Sequence, residues 1–198
     1  MKSNFFITIV VILILFHISC SDSNKYHKLV ERELAKDIRN DNLLQGIQFG
    51  MNRREFFAQC WELNKKGVFK AGAGNTTVFY ELEKNSKKYY VHFYPKFIKG
   101  KIVELPVEYT YSAFAPWNPK YSLDMLNVEI LDIYKEEYGE DYLEIPSNNM
   151  ENDTAYVWVD GNRRISVYKN ITRNSVTALF FDLTSKKTID FILEETER

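Results

Sequence analysis

The segment "MNRREFFAQCWELNKKG", residues 51–67, carries the clearest structural signal in the chain. Asn52 is a favourable N-cap residue, and Glu55, three positions later, completes the pattern of a capping box. Five apolar residues follow at helical spacing and form one broad face: Phe56, Phe57, Cys60, Trp61 and Leu63. Two lysines and Gly67 then give a cationic last turn and a stop signal. The segment therefore predicts an amphipathic helix over residues 53–66.

A second segment, "YSLDMLNVEILDIYKEEYG" at residues 121–139, has the same plan. Ser122 is the N-cap residue, apolar residues line one face, and Gly139 ends the helix. The distance along the chain from Asn52 to Ser122 is nearly the same as the distance from Gly67 to Gly139. The spacing indicates two similar halves with a period of roughly 70 residues.

Strand-like runs follow both predicted helices. Three follow the first helix, at residues 76–83, 88–95 and 101–111, and four follow the second, at residues 142–145, 155–160, 163–169 and 176–184. Residues 101–111 alternate between apolar and polar types, which predicts a sheet with one wet face. Pro106 interrupts the polar set, and we expect it at a sheet edge or bulge because it lacks an N–H group. Asp160-Gly161 predicts a hairpin turn.

These elements predict an α+β fold made of two similar modules, each a helix followed by an antiparallel strand meander. We expect a signal peptide at residues 1–19 and a lipidated tether with a short, loosely packed helix at residues 20–44. The first module would then occupy residues 45–121 and the second module residues 122–198.

The amino terminus begins with Lys2 and an apolar run from residue 5 to residue 16, which only Thr8 interrupts. A helix of about 12 residues spans roughly 18 Å, well short of the ~30 Å hydrocarbon core, so the run is typical of a signal peptide. It ends in "HISC", with the small residue Ser19 directly before Cys20. This order resembles a lipobox, the cleavage site of bacterial lipoproteins, in the relaxed form found among Bacteroidetes.

The lipobox resemblance implies that the thiol of Cys20 carries a diacylglyceryl group and that the chain is cut before it. Two or more acyl chains would hold the protein on a membrane, and we expect the cell envelope, specifically the outer membrane. His17 departs from the leucine that is usual three positions before the cysteine. The alternative is a plain secretory signal that is cut near Ser19.

The charge balance of the chain bears on its possible partners, and its cysteine content bears on possible reactive thiols. Without residues 1–19 the chain has 25 basic and 27 acidic residues, a balance that argues against a nucleic-acid partner or a polybasic membrane contact. Cys60 is then the one thiol besides Cys20, and its place on an apolar helix stripe predicts a small buried hydrophobe.

The stretch "GIQFGMNRREF", residues 46–56, carries a second resemblance. A Gly-Met turn that opens a helix before a strand meander resembles the small α/β module of the beta-lactamase inhibitory protein and the SmpA/OmlA outer-membrane lipoproteins. The resemblance implies two helices on an antiparallel sheet whose face binds another protein, and it brings no catalytic residues.

Motifs for catalysis are scarce in this sequence. There is no HExxH, CxxC or Gly-x-Ser-x-Gly motif, and His92 shares strand parity with Tyr90 and Tyr94, which predicts an aromatic sheet face. We therefore expect no catalytic residues, no cofactor and no metal site. The alternative is a surface hydrolase or glycan-binding protein with an acidic and aromatic cleft, for which four clustered acids are candidates: Glu136, Glu137, Glu140 and Asp141.

Two further sites are predicted. The linker "AFAPWNPKY" places Phe114, Trp117 and Tyr121 among prolines, and these aromatic residues form a candidate binding surface for another envelope protein or a glycan. Alternatively, they cover the joint between the halves. The triplet Asp153-Thr154-Ala155 resembles a Bacteroidetes O-glycosylation sequon and implies a glycan on Thr154. The expected function is a membrane-anchored, non-catalytic binding or scaffolding module.

Overall fold

This computed structural model describes residues 20–72, 74, 76–113, 117–146 and 154–185, with the side chains of residues 20–23 left out. The described residues form three α-helices and eleven β-strands. The helices are α1 (Cys20–Leu34), α2 (Arg53–Lys65) and α3 (Leu123–Tyr138). The strands are β1 (Asn42–Leu44), β2 (Ile47–Gln48), β3 (Lys70–Ala71), β4 (Val78–Lys84), β5 (Lys87–Phe93), β6 (Lys96–Ile98), β7 (Lys101–Tyr111), β8 (Leu143–Pro146), β9 (Thr154–Asp160), β10 (Arg163–Asn170) and β11 (Ser175–Asp182).

Nine of these strands form one antiparallel sheet, which confirms the predicted α+β class. The strand order is β3-β4-β5-β7-β11-β10-β9-β8, and β6 pairs with the first residues of β7. β1 and β2 form a separate small hairpin. Four short strands, β1, β2, β3 and β6, were not predicted, because two or three residues are too few to show an alternating pattern.

The two predicted halves meet at the middle of this sheet. β7 and β11 pair antiparallel, with Leu105 opposite Phe180 and Val107 opposite Ala178. Helix α2 precedes the strands of the first half and α3 precedes those of the second half, in the predicted order. The strands of both halves thus share one continuous sheet. The internal duplication itself stays a prediction.

The helix ends have the predicted capping geometry. Asn52 Oδ1 accepts from the backbone N–H of Glu55 at 3.0 Å, and Glu55 Oε2 accepts from the backbone N–H of Asn52 at 2.8 Å. Ser122 Oγ accepts from the backbone N–H of Met125 at 3.3 Å. Gly67 and Gly139 follow the helices with φ of +73° and +84°, a conformation that favours glycine.

The hydrophobic core covers one face of the sheet. Along β7 the apolar set is buried from Val103 to Tyr109, and Tyr111 is half-buried. The alternate residues, which were predicted to face water, are half-buried. Helix α3 contributes Leu126, Ile130 and Tyr134 to this core. The hydroxyl groups of Tyr109 and Tyr134 lie 3.0 Å apart inside it, so that these two polar atoms are paired where water has no access.

Pro106 was expected at a sheet edge or a bulge, and the edge is wrong because β7 is a central strand. Pro106 lies opposite Leu179 of β11. On the other side of β7, however, the ladder is interrupted. Val107 pairs with Phe93 of β5, Glu104 pairs with Lys96 of β6, and the residues between these partners belong to neither strand. A residue without an N–H group is tolerated at such a gap.

Helix α1 differs from the predicted tether. It begins at Cys20 and packs against β8 and β9. Its Glu33 is only 4% exposed, and the carboxylate pairs with Lys36 at 2.6 Å and Arg32 at 3.1 Å. Both partners are within three residues of Glu33, so the ion pairs compensate the charge of the buried carboxylate. The predicted short helix is present and extends over 15 residues.

The segment after α1 is tied to the far half of the chain by a set of polar contacts, which we call the N-terminal clasp: Arg39, Asn40, Asn162 and Asp182. Asn162 Oδ1 accepts from the backbone N–H of Asn40 at 2.6 Å, and Asp182 Oδ2 pairs with the Arg39 guanidinium at 3.2 Å. Asn162 lies in the two-residue turn between β9 and β10, the hairpin that Asp160-Gly161 predicts. The N-terminal clasp therefore joins residues 39–40, which follow α1, to the turn after β9 and to the end of β11.

Candidate binding site

The linker between β7 and α3 presents the most exposed large aromatic side chain among the described residues. Trp117 is 80% exposed. It precedes a short 3₁₀ turn, Pro119–Tyr121, in which Asn118 Oδ1 accepts from the backbone N–H of Lys120 at 3.1 Å. Phe114, the first residue of the predicted aromatic set, lies outside the described residues.

Tyr121 is the point where this linker is fixed to the sheet. Its ring packs edge-on against Tyr111, with ring centres 5.1 Å apart. The Lys87 ammonium lies 5.6 Å from the centre of the Tyr121 ring and 5.3 Å from that of Tyr111. Lys87 also donates to the backbone carbonyl of Lys120 at 3.2 Å. The base of the loop is therefore held by ring packing, a cation–π pair and a hydrogen bond.

A carboxylate of α3 completes this cluster. Glu129 Oε2 accepts from the hydroxyl groups of Tyr89 at 2.9 Å and Tyr111 at 2.8 Å, and Oε1 accepts from the Lys87 ammonium. We call these residues, with Tyr121, the Glu129 cluster. It connects helix α3, strand β5, strand β7 and the linker through one half-buried charge.

The electrostatics of the Glu129 cluster favour a structural role. Burial alone would raise the pKa of Glu129, but the hydrogen bonds from Lys87, Tyr111 and Tyr89 outweigh it and hold the pKa below its ordinary value. Burial and the hydrogen bond to Glu129 raise the pKa of Tyr89 and Tyr111 well above the usual tyrosine value. At neutral pH the carboxylate is thus charged and both phenols are protonated donors, a fixed arrangement without a group poised to transfer a proton.

The acids proposed for hydrolysis separate into two sets. Glu137 and Asp141 line a groove of about 540 Å³ together with Glu33, Lys36, Trp158 and Arg163. Glu136 instead pairs with Lys84, and Glu140 lies 3.7 Å from Lys135. Within the groove, the ion pair with Lys36 and Arg32 holds the pKa of Glu33 below its ordinary value, so this carboxyl is not a proton donor near neutral pH.

Other predicted residues lie as follows. The ring of His92 is 5.0 Å from that of Phe79, which also packs edge-on against Tyr90, so His92 belongs to the aromatic sheet face that its strand parity predicts. Cys60 is half-buried against the core, where burial raises the pKa of its thiol to about 11. Among the described residues no group of histidine, cysteine and acidic side chains has the arrangement of a metal site.

The modification sites remain predictions. Cys20 is the first residue of α1, and the signal peptide at residues 1–19 lies outside the described residues. Thr154 opens β9 and is half-buried, opposite Pro146; Asp153, which completes its sequon, lies outside the described part. No helix in the described ranges combines the length and the apolar character needed to cross a bilayer.

One exposed aromatic surface was not foreseen. Phe57 and Trp61 were assigned to the buried face of α2, but they are 51% and 61% exposed, while Phe56 is fully buried. Adjacent residues on a helix point about 100° apart, so Phe56 and Phe57 cannot both face the core. The excessive width of the apolar stripe was the signal in the sequence that could have revealed this surface.

Comparison with known proteins identifies no relative of established function. No protein-family model matches the chain, and no curated protein matches it. Among solved structures, a DUF4309 family protein, YjgB, from Bacillus subtilis is similar over 78% of this chain and 93% of its own, with 12% sequence identity and a TM-score of 0.31.

Proposed function

We propose that this protein is a lipid-anchored lipoprotein of the cell envelope, located at the outer membrane, whose body is a non-catalytic binding or scaffolding module. The anchoring part of the proposal is supported by the apolar run that ends at Ser19-Cys20.

The observation that carries the binding part is the presentation of Trp117. A tryptophan that is 80% exposed has a large apolar surface in water, and such residues are frequent anchors in protein interfaces. The Glu129 cluster fixes Tyr121, four residues after Trp117, which reduces the conformational entropy that residues 117–121 lose on binding. The partner would be another envelope protein or a glycan.

The binding proposal is tested by quantitative capture from native membranes solubilised in detergent. We expect Trp117→Ala to reduce the amount of co-purified partner by about 30-fold, the effect of losing an interface anchor worth about 2 kcal/mol. Trp61→Ala is the matched control, because it removes an exposed tryptophan from a different surface. Equal capture by wild type and Trp117→Ala would refute the role of the linker.

The anchor is tested by metabolic labelling with a fatty acid. Cys20→Ala should abolish incorporation and release the protein from the outer-membrane fraction. Labelling of Cys20→Ala at the wild-type level would end the lipoprotein proposal.

The proposed glycan on Thr154 is tested separately, by intact-mass analysis of natively expressed protein. Thr154→Ala should lose the glycan mass in addition to the small side-chain difference. A mass change limited to the side chain would remove this proposal.

A second candidate function, hydrolysis or glycan binding, is favoured by one observation. The groove that Glu137 and Asp141 line also contains the aromatic Trp158, so two of the candidate acids share one concave site. The test is turnover of ester, peptide and glycan substrates by wild type, Glu137→Gln and Asp141→Asn. Turnover that either substitution abolishes, with folding intact, would replace the binding proposal by the hydrolase.

A further inference from the structure

The outward face of α2 carries an ordered pattern of aromatic and basic residues. Arg54, Phe57, Trp61, Lys65 and, just beyond the helix, Val68 follow one another at intervals of three or four positions, and all five are exposed. We call these five residues the α2 stripe. Its two aromatic side chains lie between Arg54 on one side and Lys65 on the other. The ring of Phe57 lies 5.3 Å from that of Phe56, which the core buries completely, so the exposed aromatic surface adjoins the core.

The charge around the α2 stripe is positive although the whole chain is nearly neutral. Residues 53–70 contain five basic and two acidic side chains. Lys65 pairs with Glu62 at 2.8 Å, and Lys70 pairs with Glu81, outside this range, at 3.1 Å. Arg53, Arg54 and Lys66 then outnumber Glu55, which accepts from the N-cap backbone, and they account for the positive excess. The Lys65 ammonium also lies 5.7 Å from the Trp61 ring centre. The surface therefore combines apolar area with unbalanced positive charge.

We propose that the α2 stripe docks on the anionic headgroups of a lipid bilayer. Tryptophan and phenylalanine favour the boundary between headgroups and acyl chains, and flanking basic residues are attracted to anionic lipids. A protein partner would be expected to need a pocket for each aromatic anchor. The outer side of a helix is convex, whereas a fluid headgroup layer adapts to such a surface without a matching shape.

Anchoring as proposed above would favour this contact but is not required for it. A helix of 15 residues is about 22 Å long, so a lipid on Cys20 at the start of α1 would keep the body close to the bilayer. The α2 stripe would then meet the bilayer at a high effective concentration, so that even a weak contact between them would form. The two contacts together would fix how the body is oriented on the membrane.

The test uses unlipidated protein, residues 20–198 with Cys20→Ser, which retains the whole described part of the chain. Vesicles contain phosphatidylcholine alone, or phosphatidylcholine and the anionic lipid phosphatidylglycerol mixed two to one. In a Trp117→Phe background, Trp61 is the remaining exposed tryptophan, because Trp158 is 4% exposed. We expect its emission to shift to the blue with the anionic vesicles. In a Trp61→Phe background, Trp117 should show no shift with the same vesicles.

Charge variants measure the electrostatic part by vesicle sedimentation. Arg54→Gln and Lys65→Gln should each lower the partition coefficient about fivefold, the effect of one basic residue near an anionic surface. Lys88→Gln and Lys99→Gln are the matched controls, since both lysines are exposed and outside the α2 stripe; they should bind as wild type does.

Three results would overturn the proposal: no emission shift of Trp61, equal losses in the control variants, or capture of an acidic protein through Trp61 without vesicle binding. Because the protein carries no lipid, these outcomes are independent of the labelling test at Cys20.

Discussion

Gly161 lies directly against the backbone of Ile38. A Cβ atom placed on this glycine would stand 2.2 Å from the Ile38 carbonyl oxygen, far inside the contact distance. Gly161 also has a φ of +57°, in the left-handed region. The turn between β9 and β10 can therefore receive the segment after α1 only where the residue has no side chain, and this is where the N-terminal clasp forms.

We predict that Gly161→Ala lowers the free energy of unfolding by at least about 3 kcal/mol, because it combines an unfavourable φ with a forced shift of the Ile38 backbone. Gly100→Ala is the control. Gly100 also has a positive φ, but open space surrounds it, and we expect a cost of about 1–2 kcal/mol. Urea unfolding followed by fluorescence measures both. Equal costs would show that the contact with Ile38 has no energetic weight.

The Glu129 cluster predicts a dependence of stability on pH. A carboxyl group whose pKa is lowered by folding stabilises the fold above its ordinary pKa of 4.5, and this contribution is lost as the pH falls through the folded value. Glu129→Gln should therefore destabilise the protein by about 1–3 kcal/mol at pH 7. The difference from wild type should shrink as the pH is lowered below 4.5.

Urea titrations between pH 7 and pH 3 measure this effect. Glu136→Gln is the control, because Glu136 pairs with Lys84 but its side chain is largely exposed, and we expect a change within about 1 kcal/mol. A difference between Glu129→Gln and wild type that stays constant over this pH range would contradict the prediction.

Replacing Trp117 should weaken binding with little effect on the stability of the fold, whereas replacing Tyr121 should destabilise the fold. Trp117→Ala removes an exposed side chain and should change the free energy of unfolding by no more than about 0.5 kcal/mol. Tyr121→Ala removes the ring that packs on Tyr111 and Lys87, and it should cost about 1–2 kcal/mol. Thermal unfolding of both variants decides this. A large loss of stability in Trp117→Ala would mean that this side chain serves the fold.

The thiol of Cys60 should react slowly in the folded protein. With a pKa of about 11, about one thiol in a thousand is ionised at pH 8, and the thiolate is the reactive form. In a Cys20→Ser background we expect labelling by iodoacetamide at pH 8 to be at least about 100-fold slower than in concentrated urea. Similar rates in both conditions would show that Cys60 is accessible and not held by burial.

The helices and their caps were predictable because their signals are local. Each cap acts on groups within a few positions of itself: Asn52 and Glu55 cap the start of α2, Ser122 caps the start of α3, and Gly139 ends α3. The structure confirms the helix boundaries that these residues predict. The longer strands follow from alternation for the same reason. The shared sheet could not be predicted, since β7 and β11 belong to different halves of the chain and their pairing leaves no pattern in either strand.

Side-chain exposure was harder to predict than secondary structure. Trp117 was recognised as a candidate because prolines surround it. The fixation of the linker at Tyr121 could not be predicted, because it depends on Lys87 of β5 and Glu129 of α3, which are distant in sequence. Phe57 and Trp61 were misplaced because helical spacing shows which residues share a face and not how wide the buried part of that face is. A short, loosely packed helix was predicted in residues 20–44, but the length of α1 and the burial of Glu33 were not, because a buried charged side chain leaves no apolar pattern.

The position of β11 at the centre of the sheet has a consequence for biogenesis. β7 remains an open edge until the last described strand arrives, and pairing across such a sequence separation is slow. A chain that is synthesised and exported from its amino terminus would leave this edge of a largely apolar strand unpaired until β11 has emerged. If the protein folds in the envelope as proposed, the supply of chaperones that cover strand edges would then limit its yield more strongly than its final stability does.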